Sequence, residues 1–216
     1  MIRTHRFLLA CALLAALGQP ASAEQLKVAP AVQTELPDDQ APLEMQVDMI
    51  KRIVPQARRV GVVYDPRQAS SVAIVRQLQD LLPKAGLSLV ETVAPRSVEV
   101  GPAARNLIGR VDVIYLFADD KVRAACDAVV RVGNENRIPL IASDLDGVRK
   151  GAVAALGRAA GRTVPARVAA EPGVRTELYL NLGAAARQGV TLPEALVKSA
   201  AQVIKEPDAP AGANKQ

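Results

Sequence analysis

The chain is poor in the side chains that do most enzymatic chemistry. It has one His, two Cys and no Trp, and only two Phe and three Tyr. The single His is His5, so nearly the whole chain lacks the commonest general base and metal ligand. With Cys11 at the amino terminus and Cys126 far from it, no disulfide framework is expected. There is no Gly-Lys-Ser/Thr phosphate loop and no nucleophile–base pair at a recognisable spacing. Beyond the amino terminus no run is long and apolar enough to cross a bilayer, which takes about 20 residues.

What is present begins with a targeting signal. Arg3 and Arg6 form a basic start, Phe7 to Leu17 an apolar core, and Ala21-Ser22-Ala23 a small-residue cleavage site. Leu8-Leu9-Ala10-Cys11 resembles a lipobox, but only four apolar residues precede that Cys. Cleavage after Ala23 is therefore expected, with export to the periplasm. The mature chain would carry 25 basic and 22 acidic residues, a net +3. That excess is too small to argue for nucleic acid, and export argues against it again. Cys126 lies in VRAACDAVVRV among Ala and Val, where a buried packing thiol is expected rather than a nucleophile.

Four apolar runs end in small polar clusters: RRVGVVYDP, LSLVETVAP, VDVIYLFADD and IPLIASDLDG. Each has strand length, β-branched content and polar or Pro/Gly punctuation at its carboxyl end. Runs apolar on both faces suit parallel strands covered by helices. Strands are predicted at 60–64, 87–93, 111–117, 139–142 and 152–156, with another at 176–182. Helices are predicted at 41–53, 68–85, 98–109, 120–136 and 184–188, with a terminal helix at 193–205. Residues 143–150 read as a polar turn, 24–40 as an extended lead-in, 157–174 as a surface crossing and 206–216 as a disordered tail. The alternation predicts one α/β lobe over 41–205, a three-layer sandwich around a mostly parallel sheet.

In such sheets ligands sit outside the carboxyl ends of the strands. Tyr64 and Asp65 end the first strand, and Ser70 and Ser71 precede the next helix. There the two serines either cap the helix or offer hydroxyls and N–H groups to an anionic group. Asp119 and Asp120 follow the third strand and Ser143 and Asp144 the fourth. One aspartate suffices to cap a helix. Four carboxylates at neighbouring strand ends make an acidic rim able to receive an amino group or a cation. Tyr64, Tyr115, Phe117 and Tyr179 are the aromatics left after the leader. They serve either as sheet packing or as a flat rim for an organic ligand.

GVVYDP, VDVIYLFADD, ENRIPLIASD, GAVAALG and ELYLNLGAAARQGVTLPEALVKSAAQVI, in that order, resemble substrate-binding proteins of ABC transporters. The likeness is to the subgroup with aromatic amino acid binders and runs from about Leu43 to Lys205. It implies an exported, non-enzymatic binding protein with the type I periplasmic binding protein fold and no cofactor. Family members have two hinged lobes and deliver a solute to a membrane permease. This chain is too short for two lobes. Residues 24–40 stand where a whole first lobe is expected, and 158–173 where a long returning helix is expected, so the resemblance implies a chain reduced to its second lobe.

The ligand loops depart from the family pattern. Asn-Pro-x-Glu-x-Asn-Ser becomes Asp65-Pro66-Arg67-Gln68-Ala69-Ser70-Ser71, and Thr-Asp-Asn becomes Ala118-Asp119-Asp120. Ser-Asp-Glu-Gly becomes Ser143-Asp144-Leu145-Asp146. Ser71, Asp119, Ser143 and Asp144 match, and the neighbours that differ keep the ligand's identity from being carried over. Three readings remain: a module binding a small organic solute, an adaptor docking a membrane protein, and a hydrolase or metal-dependent enzyme using the acidic rim. The missing His and nucleophile count against the last. If one lobe keeps half the contacts of a micromolar binder, about −8 kcal/mol falls to about −4, which is millimolar. A lone lobe thus needs a second wall, from a partner or from a second copy of the chain.

Overall fold

The structure is a computed structural model and describes residues 40–158 and 176–205. The expected leader, most of the lead-in, most of the 157–174 crossing and the tail lie outside those residues. β1 (Arg59–Tyr64), β2 (Ser88–Val93), β3 (Val113–Leu116), β4 (Leu140–Ala142) and β5 (Ala154–Arg158) are mutually parallel. β6 (Thr176–Asn181) joins β5 antiparallel, and β7 (Gln202–Ile204) pairs parallel with β6. The seven strands lie in the order β2-β1-β3-β4-β5-β6-β7. Gln40 adds an isolated antiparallel bridge to Gly157.

The period of two along each strand divides the core between the two faces. Val113, Tyr115 and Phe117 pack on one side, with α1 (Leu43–Ile53) and α2 (Ala69–Leu81). Ile114 and Leu116 pack on the other, with α3 (Ser97–Arg105), α4 (Asp120–Ala124), α5 (Cys126–Asn136) and α6 (Leu145–Lys150). α2 and α3 thus cross on opposite faces, which is the three-layer, doubly wound arrangement that the alternation of runs predicts. α7 (Leu182–Arg187) and α8 (Glu194–Ser199) complete the first face. Among the described residues no helix is long and apolar enough to cross a membrane.

Four stretches differ from expectation. The predicted helix over 120–136 breaks at Ala125 (φ −123°, ψ 27°), so that α4 and α5 each turn apolar residues into the same layer. The helix predicted to reach 109 stops at Arg105. Pro102 lies within it, and short turns finish the segment, with Leu107 N–H donating to Ala104 and Arg110 N–H to Leu107. The polar turn over 143–150 contains α6, because Asp144 supplies its amino-terminal cap, accepting from Gly147 N–H at 2.9 Å. The terminal helix over 193–205 ends at Ser199 and gives way to β7. The unpaired edge of β6 claims those backbone groups, starting with Ala201 N–H to the Leu178 carbonyl at 2.8 Å.

Candidate functional site

The order β2-β1-β3 puts the topological switch point between β1 and β3, whose carboxyl ends carry Tyr64-Asp65 and Asp119-Asp120. The structure brings Asp65, Ser71 and Asp119 into direct contact there. Asp119 Oδ2 accepts from the Asp65 N–H at 2.8 Å and from the Ser71 hydroxyl at 2.6 Å. Its Oδ1 accepts from the Lys121 and Val122 N–H groups, capping α4 as expected. All three residues are buried. Asp119 is a four-fold acceptor whose capacity is spent inside the protein.

Asp65 is held by a residue that sequence inspection passed over. The Arg67 N–H and Nε donate to its Oδ1 at 2.9 and 3.0 Å, and the guanidinium also reaches Oδ2. Bonding from the Arg67 N–H, then from its guanidinium, holds the Asp65 carboxyl below the usual carboxylate range. The signal was present in an arginine two residues after an aspartate across a proline turn. Gln68 is a second such residue: its Oε1 accepts from Asp120 N–H and its Nε2 donates to Ser70 Oγ. The reading of Ser70 and Ser71 as preceding the helix is corrected. α2 begins at Ala69 with Gln68 in the cap position, so both serines lie in its first turn. Ser70 is exposed and Ser71 points inward to Asp119.

At the end of β4, Asp144 accepts from Arg123 Nη2 at 3.3 Å as well as capping α6. Ser143 differs from its neighbours. Its hydroxyl is buried and has no hydrogen-bond partner among the described residues. Asp120 is exposed, and its carboxylate stands at the first turn of α4, where the helix dipole favours negative charge. The acidic rim is therefore largely neutralised from within. Among the described residues no group of three or more His, Cys, Asp or Glu is placed to hold a metal ion.

The aromatics divide. Tyr115 is fully buried, its hydroxyl donates to Gln46 of α1, and burial raises its pKa. Phe117 lies beside it, ring centroids 6.1 Å apart. Tyr64 is half-buried and donates to Glu91 of β2 at 3.0 Å. Tyr179 donates to Glu177. Tyr115 belongs to the sheet packing. Phe117 also borders a small cavity of about 30 Å³ between the ends of β3 and β4, together with Arg123, Cys126, Asp144 and Lys150. That volume holds roughly one water, far below the roughly 300 Å³ of a small-molecule pocket. Cys126 is buried, and burial pushes its thiol up to about 11. A larger hollow of about 250 Å³ lies between α1, the β5–β6 pair and α8, lined by Met45, Met49, Arg52, Leu156, Leu178 and Leu196. It is away from the switch point.

Comparisons with known proteins agree with this architecture. Residues 24–204 match the sequence profile of the family described as ABC transporter substrate binding protein. A tyrosine-binding protein from Clostridioides difficile is 33% identical over 119 residues, 55% of this chain and 34% of the relative. A crystal structure of a conserved domain protein from Vibrio cholerae superposes with a TM-score of 0.66 at 28% identity, covering 76% of this chain and 60% of that one. A domain from a pneumococcal streptococcus in complex with L-Trp gives 0.63 at 22% identity over 76% and 62% of the two chains. A ligand-free, open substrate-binding protein with adhesive properties from Clostridium difficile gives 0.66 at 24% over 78% and 61%. The last two share the fold. This chain spans about a third of the curated relative and about three fifths of the solved ones. On the profile match across its strands and helices, the chain belongs to the ABC transporter substrate-binding protein family.

Proposed function

We propose that this protein is an exported solute-binding component of an ABC transporter, or derived from one, and that it receives a small amino-acid-like solute at the strand-end face. The observation that carries this reading is the family match over residues 24–204, which includes every strand end described above. The tyrosine-binding relative supports the solute class. Ser143 supports the place: a buried hydroxyl without a partner is costly, and a ligand group would satisfy it. The face functions by binding. Cys126 is buried with a raised pKa, and the carboxylates at the strand ends are held by Arg67, Arg123 and backbone N–H groups rather than poised for proton transfer.

The small cavity between the ends of β3 and β4 holds about one water, so affinity depends on a second wall from a partner or another copy of the chain. Calorimetric titration of the purified chain with tyrosine, tryptophan and a panel of other amino acids tests this. Binding near the millimolar range is expected. No heat for any amino acid at tens of millimolar would overturn the solute reading, and micromolar binding would overturn the need for a second wall.

A second reading has its own observation. Asp65, Ser71 and Asp119 satisfy one another, as a face does that has given up ligand binding and keeps its loops for docking. In that reading the protein is a periplasmic adaptor whose strand-end face meets a membrane protein. Crosslinking from Asp120→Cys in intact cells separates the two, since the adaptor captures a membrane partner whether or not solute is present.

A further inference from the structure

The two ends of the sheet differ in how their cations are used. At the carboxyl ends of the strands Arg67, Arg96 and Arg123 are each paired with a carboxylate. At the opposite end Lys84 precedes β2, Arg58 precedes β1, Arg110 precedes β3 and Arg137 precedes β4. These four are exposed, and none is in an ion pair with another described residue. Gly189, two residues after the end of α7, lies against Arg137. Arg59 is the exception. It is engaged by Asp112 at 2.8 Å.

The carboxylates nearest this row in sequence, besides Asp112, are Asp80 and Glu135 in the last turns of α2 and α5. Basic residues in the last turns of α1 and α3 (Lys51, Arg52 and Arg105) keep the balance positive. Those three complement helix dipoles. Lys84, Arg58, Arg110 and Arg137 stand outside the α-helices, ahead of four adjacent strands. With strands about 4.8 Å apart the row is about 14 Å wide, too broad for one small anion and suited to an array of them.

The same end carries an apolar tip. Ile108 is 40% exposed in the turn between Arg105 and Arg110, which Gly109 closes at φ 73°. An isoleucine flanked by arginines gains nothing from a hydrated polyanion, but it can enter the boundary between headgroups and acyl chains while its neighbours meet the phosphates.

We propose that the end of the sheet bearing Lys84, Arg58, Arg110 and Arg137, with Ile108 at its tip, is a docking face for an anionic phospholipid surface.

Vesicle co-sedimentation of the full chain tests this, with phosphatidylcholine vesicles setting the background from the apolar residues 7–17. Vesicles containing phosphatidylglycerol should bind well above that background, and the increment should vanish as salt rises past a few hundred millimolar. Each cation near such a surface raises partitioning about five-fold, so the triple variant Arg58→Glu, Lys84→Glu, Arg110→Glu should lose about a hundred-fold or more. Ile108→Ser should lower binding to the vesicles while leaving retention on heparin unchanged. Circular dichroism melting confirms that each variant folds, and Arg58→Gln with Lys84→Gln replaces the triple variant if it does not. The proposal is overturned if phosphatidylglycerol adds no binding at low salt, or if the charge variants bind as the parent does. It is also overturned if Ile108→Ser weakens nothing, which would assign the row to a soluble polyanion.

Discussion

The Ser71 hydroxyl donates to Asp119 Oδ2 at 2.6 Å, tying the first turn of α2 to the carboxyl end of β3 across the switch point of the sheet. The same oxygen accepts from Asp65 N–H, so one carboxylate fastens β1, α2, β3 and α4 together. The crevice where this topology places ligands is braced by Asp119.

Asp119→Ala should therefore act mainly on stability. It removes the cap of α4 and leaves the buried Ser71 hydroxyl and Asp65 N–H without an acceptor. A loss of about 2–4 kcal/mol is expected, more than a cap alone. Asp120→Ala, at an exposed position whose carboxylate accepts from no donor among the described residues, should fall within about 0.5 kcal/mol. Urea unfolding of the two variants checks the contrast, and equal effects would refute it.

The apolar runs made most of the fold legible. In VDVIYLFADD the residues that face opposite layers alternate, and in each of the four runs the polar cluster lies just past the strand. What the sequence concealed was decided by partners distant in the chain. Gln202–Ile204 has a helical pattern around it, yet β6 offers it an edge, and strand pairing wins. Ser71 and Asp119 are 48 residues apart, so nothing local distinguishes a ligand-binding serine from one that braces a loop. Arg67 and Arg123, which neutralise Asp65 and Asp144, look like solvated charges until the fold brings them in.

Cys126 is buried against Val129 and Val132, with its thiol pushed up to about 11 by burial. Because the folded pKa is raised, the fold favours the neutral thiol. That stability is fully present below the unfolded value, near 8.5, and is lost as pH climbs toward the folded one. A thiol reagent at pH 8 should leave Cys126 unmodified in the native protein and label it in guanidinium. Peptide mapping distinguishes it from Cys11, and rapid native labelling at Cys126 would contradict the burial.

Asp112 joins β1 to the turn before β3. Its Oδ1 accepts from Arg59 Nη2 and its Oδ2 from the Arg58 and Arg59 N–H groups, all at 2.8–2.9 Å. The Arg59 hydrogen bond, then those N–H groups, lower its pKa. A depressed carboxyl stabilises the fold above the unfolded pKa, near 3.9, and the contribution fades as pH falls through the lower folded value. Asp112→Asn should flatten the acid limb of the stability profile below about pH 4 and change little of its slope at neutral pH. Thermal melts from pH 2 to 7 on parent and variant measure this, and identical acid limbs would exclude the pairing as a source.

Ser143 separates a ligand-ready site from a merely imperfect one. Its hydroxyl is buried at the end of β4 and bonds to nothing else described, while Ser71 and Asp119 are fully engaged. An unmet buried hydroxyl costs about 1–3 kcal/mol, so Ser143→Ala should leave the free protein as stable or up to about 1 kcal/mol more stable. If a solute's polar group completes that hydroxyl, the same change should weaken solute binding by about ten-fold, equivalent to one lost hydrogen bond. Stability gained together with affinity lost marks Ser143 as held in reserve for a ligand. Stability gained with affinity unchanged marks it as a packing defect. A drop in stability beyond about 1 kcal/mol would show that the hydroxyl is already bonded, and would remove Ser143 from the site.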